Sequence, residues 1–143
     1  DGKPELVFRT PDVAGAFAAL ALRCSRIYCG DEDRYLMQML AELLADAIRD
    51  GVIDEADLHS DEPTVISRLL SVPSTASAWN HYRAISHVSK GESGTRPRVV
   101  NAKKRYIDPL VLGRGRVSQI DLSFARDLNS YLSSSFDYPI SES

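Results

Sequence analysis

The clearest apolar periodicity in the chain predicts an amphipathic helix over residues 31–49. Apolar residues recur there at steps of three and four, which places them on one face of a helix that turns about 100° per residue. They are Tyr35, Leu36, Met39, Leu40, Leu43, Leu44, Ala47 and Ile48. Asp31 can cap the start of this helix, and acids in the first turn suit the positive end of the helix dipole. Arg49 lies in the last turn, and Gly51 just beyond it is a usual stop signal. So wide an apolar face indicates that this helix is covered on more than one side.

A preceding helix is predicted to start at Thr10-Pro11, with Thr10 as the cap and Pro11 at the first helical position. Its expected apolar stripe is Val13, Phe17, Leu20, Cys24, Ile27 and Tyr28. Gly15 and the alanines around it make one face of the helix thin, which would let another helix approach closely. Since almost nothing separates this helix from residues 31–49, the two are expected to pack as an antiparallel pair.

Downstream, the pattern predicts a single turn at residues 54–58 and then three more helices. The expected inward positions are Val65, Ile66, Leu69 and Leu70 in the first, Ala78, Trp79, Tyr82 and Ile85 in the second, and Phe124, Leu128, Tyr131 and Leu132 in the third. The predicted fold class is therefore mainly α, a helical bundle of about five helices with a small β-hairpin near the C-terminus.

The period changes in the last third of the chain. A polar loop over residues 86–97 precedes residues 99–107, whose β-branched and aromatic residues predict a strand. Leu110 to Val117 contain a glycine turn and predict a hairpin, so that the hairpin region spans about 98–118. Residues 1–132 are expected to form one domain, and residues 133–143 a flexible tail.

Length and composition fit one soluble globular domain. The chain has 143 residues, 43% of them hydrophobic and 26% charged, and no apolar run approaches the ~20 residues of a membrane span. Cys24 and Cys29 are poorly spaced for pairing or shared metal ligation, which favours a reducing compartment and hence the cytoplasm. The chain begins at Asp1 without Met, so a trimmed chain or a piece of a longer protein is expected.

Charge is distributed unevenly along the chain. Residues 1–62 carry 6 Lys and Arg against 14 Asp and Glu, and residues 63–143 carry 11 against 6. Within the basic part, the candidate phosphate-binding residues are Lys103, Lys104, Arg105, Arg114 and Arg116. Strand alternation would place Arg98 and Lys104 on one face and Lys103 and Arg105 on the other. These cations could protect an exposed strand edge from aggregation, or they could bind a phosphate or a nucleic acid backbone.

No catalytic residue and no metal site is predicted from the sequence. The three histidines, His59, His81 and His87, form no known metal-binding spacing, and the acidic clusters fit helix starts. The chain also has no nucleophile elbow and no glycine-rich phosphate loop. We therefore expect no cofactor in this chain.

Several segments nevertheless resemble the C-terminal helical part of the HD-superfamily metal-dependent phosphohydrolases. They are the Leu6-Val7-Phe8 lead-in, the Ala-rich helix ending Arg26-Ile27-Tyr28, the Tyr35–Leu40 helix, Gly51-Val52-Ile53 followed by Asp57-Leu58, and the stretch from Lys103 to Val111. In that family a His, a His-Asp pair and a later Asp hold one or two divalent metals that activate water. None of those ligands can be placed in this chain, and they would lie upstream of Asp1.

The resemblance implies the non-catalytic C-terminal portion of a hydrolase, which would support folding, assembly or phosphate binding. Its partner would be an upstream catalytic domain of the same protein, which could carry the divalent metal. The alternative is a free-standing interaction module that dimerises through its helices or binds nucleic acid or nucleotides through the basic hairpin. Neither alternative involves a membrane.

Overall fold

A computed structural model describes residues 5–91 and 95–143, and it confirms the mainly α fold class. The helices are α1 (Pro11–Tyr28), α2 (Asp31–Arg49), α3 (Glu62–Ser71), α4 (Pro73–Ala84), α5 (Val117–Ile120) and α6 (Leu122–Ser133), with one 3₁₀ turn at Asp57–His59. The strands are β1 (Val7–Phe8), β2 (Val88–Lys90), β3 (Thr95–Val99), β4 (Leu110–Val111), β5 (Gly115–Arg116) and β6 (Pro139–Glu142). None of the helices in this described part combines the length and apolar character that a membrane crossing requires.

Two compact units make up the chain where the sequence predicted a single domain. The first comprises the chain up to Gly30 together with Asn101–Phe136, and the second comprises Asp31–Val100 with Asp137–Ser143. Because α1 and α2 fall in different units, neither unit contains the antiparallel pair of these helices that was expected.

The first unit contains the predicted hairpin in a three-stranded sheet. β4 pairs with β5 antiparallel, with Leu110 opposite Arg116, and β1 pairs with β4 in parallel. Gly113 and Gly115 both have positive φ, +67° and +93°, in the turn. A side chain would be strained in that conformation, which explains why glycine flanks the tip on both sides.

α1 packs in the first unit through its small residues and not through the predicted stripe. Ala14, Ala18 and Leu22 are buried with Phe124 and Leu128 of α6 in one apolar cluster. The expected stripe, Val13, Phe17, Leu20, Cys24, Ile27 and Tyr28, is exposed. The prediction of the buried face was therefore wrong, while the expectation that the alanine face would let another helix approach closely agrees with this packing.

α2 lies within one residue of the bounds that its pattern predicted, and its apolar face forms much of the second unit's core. Tyr35 and Met39 pack with Val88 and Ile140, while Leu43 and Ala47 pack with Ile53 and Leu69. Asp31 is the first helical residue, and its carboxylate accepts hydrogen bonds from Arg34 at 2.6 Å and Tyr138 at 2.7 Å. Asp31 is therefore part of the helix and not its cap, and its carboxylate links α2 to the C-terminal segment.

Residues 133–143, predicted to be a flexible tail, contain the central strand of the second sheet. β6 lies between β2 and β3 and pairs with both in antiparallel fashion. Ile140 and Ser141 are fully buried. Much of the predicted polar loop at residues 86–97 thus forms strands, and residues 92–94 of that loop lie outside the described residues. Backbone hydrogen bonds between the strands and the burial of Ile140 order these short polar strands. Neither can be predicted from local composition.

The strand predicted at Val99–Ile107 is not present, since only Val99 belongs to a strand and residues 100–109 have no regular structure. Among the described residues, no strand pairs with this stretch despite its β-like composition. Three expected inward residues, Leu70, Ala78 and Leu132, are likewise exposed, because each lies at the margin of its helix's apolar face.

Candidate functional site

The most distinctive surface of the first unit is the apolar stripe of α1, which we call the α1 stripe. Val13, Leu20, Ile27 and Tyr28 are between 59% and 68% exposed, and Phe17 is 39% exposed. Cys24 is exposed between them. From Val13 to Ile27 the stripe extends roughly 21 Å at 1.5 Å per residue. Contiguous apolar surface of this kind marks an interaction site more often than a lone exposed leucine does.

A cleft of about 550 Å³ adjoins the stripe at Phe17. Its walls are mainly apolar and include Leu6, Phe8, Tyr106 and Ile107. The rings of Phe8 and Phe17 lie 5.2 Å apart at a tilt of 38°. The cleft therefore extends the apolar surface of α1 toward β1 and the segment that precedes the hairpin.

An ion pair forms the polar rim of this cleft. The Arg116 guanidinium donates to the two Glu5 carboxylate oxygens at 2.7 and 3.2 Å, and to the carbonyl oxygen of Asp108 at 2.7 Å. The hydrogen bond and the charge of Glu5 raise the pKa of Arg116. Arg116 is thus already occupied by an acidic partner and is poorly placed to serve as an anion receptor.

Lys104 also has a structural role within the first unit. Its ammonium donates to the carbonyl oxygen of Leu132 at 2.6 Å and to that of Ser134, and lies 5.3 Å from the centre of the Phe136 ring. These carbonyls belong to the last turn of α6 and the residue after it, where a cation complements the negative end of the helix dipole. Lys104 therefore caps α6.

The other three predicted phosphate ligands, Lys103, Arg105 and Arg114, are exposed. Arg114 stands at the hairpin tip and lines a surface depression together with Asp12 and Asp121. These two carboxylates counter the positive charge near Arg114. The structure thus separates the five predicted residues into two that are engaged in packing the unit and three that face solvent.

A polar cluster that the sequence did not reveal lies in the second unit. Glu142, on β6, accepts a hydrogen bond from the Tyr35 hydroxyl at 2.8 Å and lies 3.0 Å from Nε2 of His81. Arg98 lies over the Tyr35 ring, 5.4 Å from its centre, and pairs with Glu42 at 2.8 Å. Tyr35 belongs to α2 and His81 to α4, so β6 joins two helices through a single carboxylate.

Burial and the Glu142 carboxylate both raise the pKa of Tyr35, to about 12. Burial would raise the pKa of Glu142, but the hydrogen bonds from Tyr35 and His81 outweigh it, and the pKa of Glu142 is lowered. The cluster consequently holds a neutral tyrosine beside an ionised carboxylate at neutral pH.

A recess of about 140 Å³ beside this cluster is lined by His81, His87, Glu142 and Ser143, among others. His87 faces Glu32 across 3.6 Å. Within the described residues, no group of three or more His, Cys, Asp or Glu side chains has a geometry that could hold a metal ion. We assign this cluster to the joining of β6 with α2 and α4.

Cys29 and Tyr131 form a second buried contact, in the first unit. The Cys29 sulfur and the Tyr131 hydroxyl lie 3.2 Å apart, and the hydroxyl also reaches the carbonyl oxygen of Arg105 at 3.3 Å. Burial and the thiol raise the pKa of Tyr131 to about 12. This contact ties α6 to the residue after α1.

The sequence contained a signal for the α1 stripe but none for the polar cluster. The apolar row was visible in the sequence at residues 13, 17, 20, 24 and 27. It was predicted to face the core, whereas the structure exposes it. Tyr35 and Glu142 are 107 positions apart, so no local pattern could join them.

No family model, no curated protein and no solved structure matches this chain.

Proposed function

We propose that this chain is a protein-interaction module whose binding surface is the α1 stripe. The observation that carries this proposal is the exposure of five large apolar side chains along one side of a single helix. α1 packs in its own unit through Ala14, Ala18 and Leu22. Apart from Phe17, whose ring contacts Phe8, the stripe is therefore not needed for the packing of that unit. Covering it would remove apolar area from water, which is the main favourable term in most protein associations.

The surface around the stripe suits helix-in-groove recognition. Such binding uses apolar anchors at steps of three and four residues, and the stripe supplies them from a helix of 18 residues. The cleft beside Phe17 adds a concave region with aromatic walls at one end. A partner would therefore contact both the raised α1 stripe and the cleft beside Phe17.

Site-specific photo-crosslinking in the cells that make the protein tests this function. A benzoylphenylalanine placed at Leu20 is expected to form covalent adducts with a protein, whereas the same probe at Asn129, an exposed residue of α6, is expected to form few. The same probe placed at Phe17 is also expected to form a protein adduct, and adding Leu20→Glu to that variant should remove it. If the probe at Leu20 is incorporated and yields no protein adduct, the α1 stripe is not a binding surface.

We also infer a second candidate function, phosphate binding within the C-terminal portion of an HD-type phosphohydrolase. The family resemblance motivates it, and the exposure of Lys103, Arg105 and Arg114 supports it. In this proposal an upstream domain would hold the divalent metal and the substrate, and these three cations would contact a phosphate group. The nucleic-acid alternative uses the same three residues.

Binding of a labelled single-stranded oligonucleotide at several salt concentrations tests the three cations. Three phosphate contacts predict that the logarithm of the association constant falls with the logarithm of salt concentration with a slope of about −2. The triple change Lys103→Ala, Arg105→Ala and Arg114→Ala should remove that binding, while Lys104→Gln should retain it. An absence of binding at low salt rules out the nucleic-acid form. A parent gene that encodes no His, His-Asp and Asp set upstream of Asp1 rules out the hydrolase form.

A further inference from the structure

We propose that the partner of the α1 stripe is the α1 stripe of a second copy of this chain, packed antiparallel about a two-fold axis near Leu20. This inference rests on the proposed interaction function and adds the identity and the direction of the partner.

The spacing of the stripe is that of a coiled-coil seam. Val13, Phe17, Leu20, Cys24 and Ile27 follow one another at steps of four, three, four and three residues. That alternation is the a and d pattern of a heptad repeat, whose 3.5-residue period keeps a narrow apolar seam facing one partner helix. A helix that met a flat or irregular surface would not need so regular a period.

The seam is also nearly symmetric when it is reversed. Around Leu20, Val13 comes opposite Ile27 of the second copy, and Phe17 comes within one residue, about 1.5 Å along the axis, of the position opposite Cys24. The largest side chain of the seam thus meets its smallest one. An isologous interface requires this self-complementarity, because the same patch serves both copies.

Charge favours the antiparallel direction. The first turn of α1 carries Asp12, and Arg23 lies beside the stripe in its C-terminal part, while Arg26 donates to the carbonyl oxygen of Asp127 within the unit. An antiparallel copy brings the acidic start of each helix toward the basic end of the other and aligns the two helix dipoles favourably. A parallel copy would bring the two basic ends together.

The orientation of α1 within its unit keeps the seam outward. The row of Ala14, Ala18 and Leu22 lies roughly 140° around the helix from the centre of the stripe, as 3.6 residues per turn requires. Since Ala14 and Ala18 are fully buried, rotating α1 to bury the stripe would expose this row and drive Phe17 and Leu20 into space that fits alanine. The unit can therefore present its seam to a second copy without rearranging.

Sedimentation of the full chain over a range of concentrations tests the identity of the partner. A dimer is expected, and Leu20→Glu should raise its dissociation constant about thirtyfold or more, because the two glutamates would meet at the centre of the interface. Leu122→Glu is the matched control, since Leu122 is similarly exposed in the same unit but lies outside α1. It should leave the dissociation constant unchanged, and equal effects of the two substitutions would overturn the proposal.

The exposed Cys24 tests the direction. In the antiparallel pair, the two Cys24 residues lie roughly 12 Å apart along the helix axes, too far for a disulfide, whereas the two residues 20 lie side by side. Under mild oxidation the unmodified chain is expected to stay uncrosslinked, and the double variant Leu20→Cys, Cys24→Ser to form a disulfide dimer. Rapid crosslinking through Cys24 in the unmodified chain would show a parallel pair and overturn the antiparallel arrangement.

The outcomes separate this inference from the function on which it rests. Suppose that the chain sediments as a monomer at all concentrations but forms an adduct with another protein through the probe at Leu20. That result rules out a second copy as the partner and supports the interaction function. A monomer that forms no adduct overturns both.

Discussion

The hydroxyl of Tyr35 donates a hydrogen bond to the carboxylate of Glu142 across 2.8 Å, joining α2 to the last strand of the chain. Tyr35 is fully buried on α2, and Glu142 ends β6. His81 of α4 meets the same carboxylate. The three residues lock β6 onto the two helices, so the ionisation of Glu142 and of Tyr35 is linked to the stability of the fold.

At acid pH, the stability that Glu142 contributes should be lost. Its pKa is lowered by the hydrogen bonds, so its contribution is present above its ordinary pKa of 4.5 and disappears as the pH falls through the lower folded-state value. Glu142→Gln should therefore flatten the fall in the free energy of unfolding below pH 4.5, as measured by urea unfolding at a series of pH values. Glu55→Gln, in an exposed loop, is the control, and equal pH profiles of the two variants would contradict the prediction.

Two tyrosines should ionise at a higher pH than an ordinary tyrosine does. The pKa of Tyr35 and that of Tyr131 are both raised from 10.0 to about 12, so the stability that each contributes is complete below pH 10 and is lost as the pH rises toward 12. An ultraviolet titration of tyrosinate absorbance should show a late step that Tyr35→Phe and Tyr131→Phe each reduce. If the folded chain titrates all its tyrosines near pH 10, the buried hydrogen bonds described above are not formed.

Loss of the Ile140 side chain should destabilise the second unit strongly. Ile140 is fully buried in the central strand, and truncating a buried isoleucine to alanine costs about 2–5 kcal/mol through lost transfer energy and the cavity left behind. Ile107→Ala is the matched control, because Ile107 is 48% exposed. We expect thermal unfolding to show a large shift for Ile140→Ala and a small one for Ile107→Ala; similar shifts would argue that the C-terminal residues are not a folded strand.

Two neighbouring lysines should differ sharply in their effect on stability. Lys104 donates to carbonyl oxygens at the end of α6, whereas Lys103 is exposed. Lys104→Gln is expected to lower the free energy of unfolding by about 1 kcal/mol, the usual net value of an intramolecular hydrogen bond, and Lys103→Gln to leave it unchanged. Denaturant unfolding of both variants measures this difference. A greater loss for Lys103→Gln would mean that Lys104 does not cap α6.

Local sequence determined the elements whose signals lie within a few residues. The apolar period and terminal residues of α2 predicted its bounds, Thr10-Pro11 predicted the start of α1, and the glycines around Arg114 predicted the hairpin. Helix periodicity, caps and turns depend on backbone geometry over three to five positions, so they can be read from the chain alone.

Tertiary structure decided what those elements face and which polar groups meet. α1 has an apolar row and a small-residue row, and periodicity alone could not choose between them; close packing in the first unit selected the alanines. Ile140 and Glu142 lie in a polar tail whose order depends on strands roughly fifty residues away. The sequence alone predicts that Lys104 is an exposed cation, whereas in the folded chain its ammonium donates to carbonyl oxygens at the end of α6. In each case the deciding partner is distant in sequence, and its contact exists only once the chain has folded.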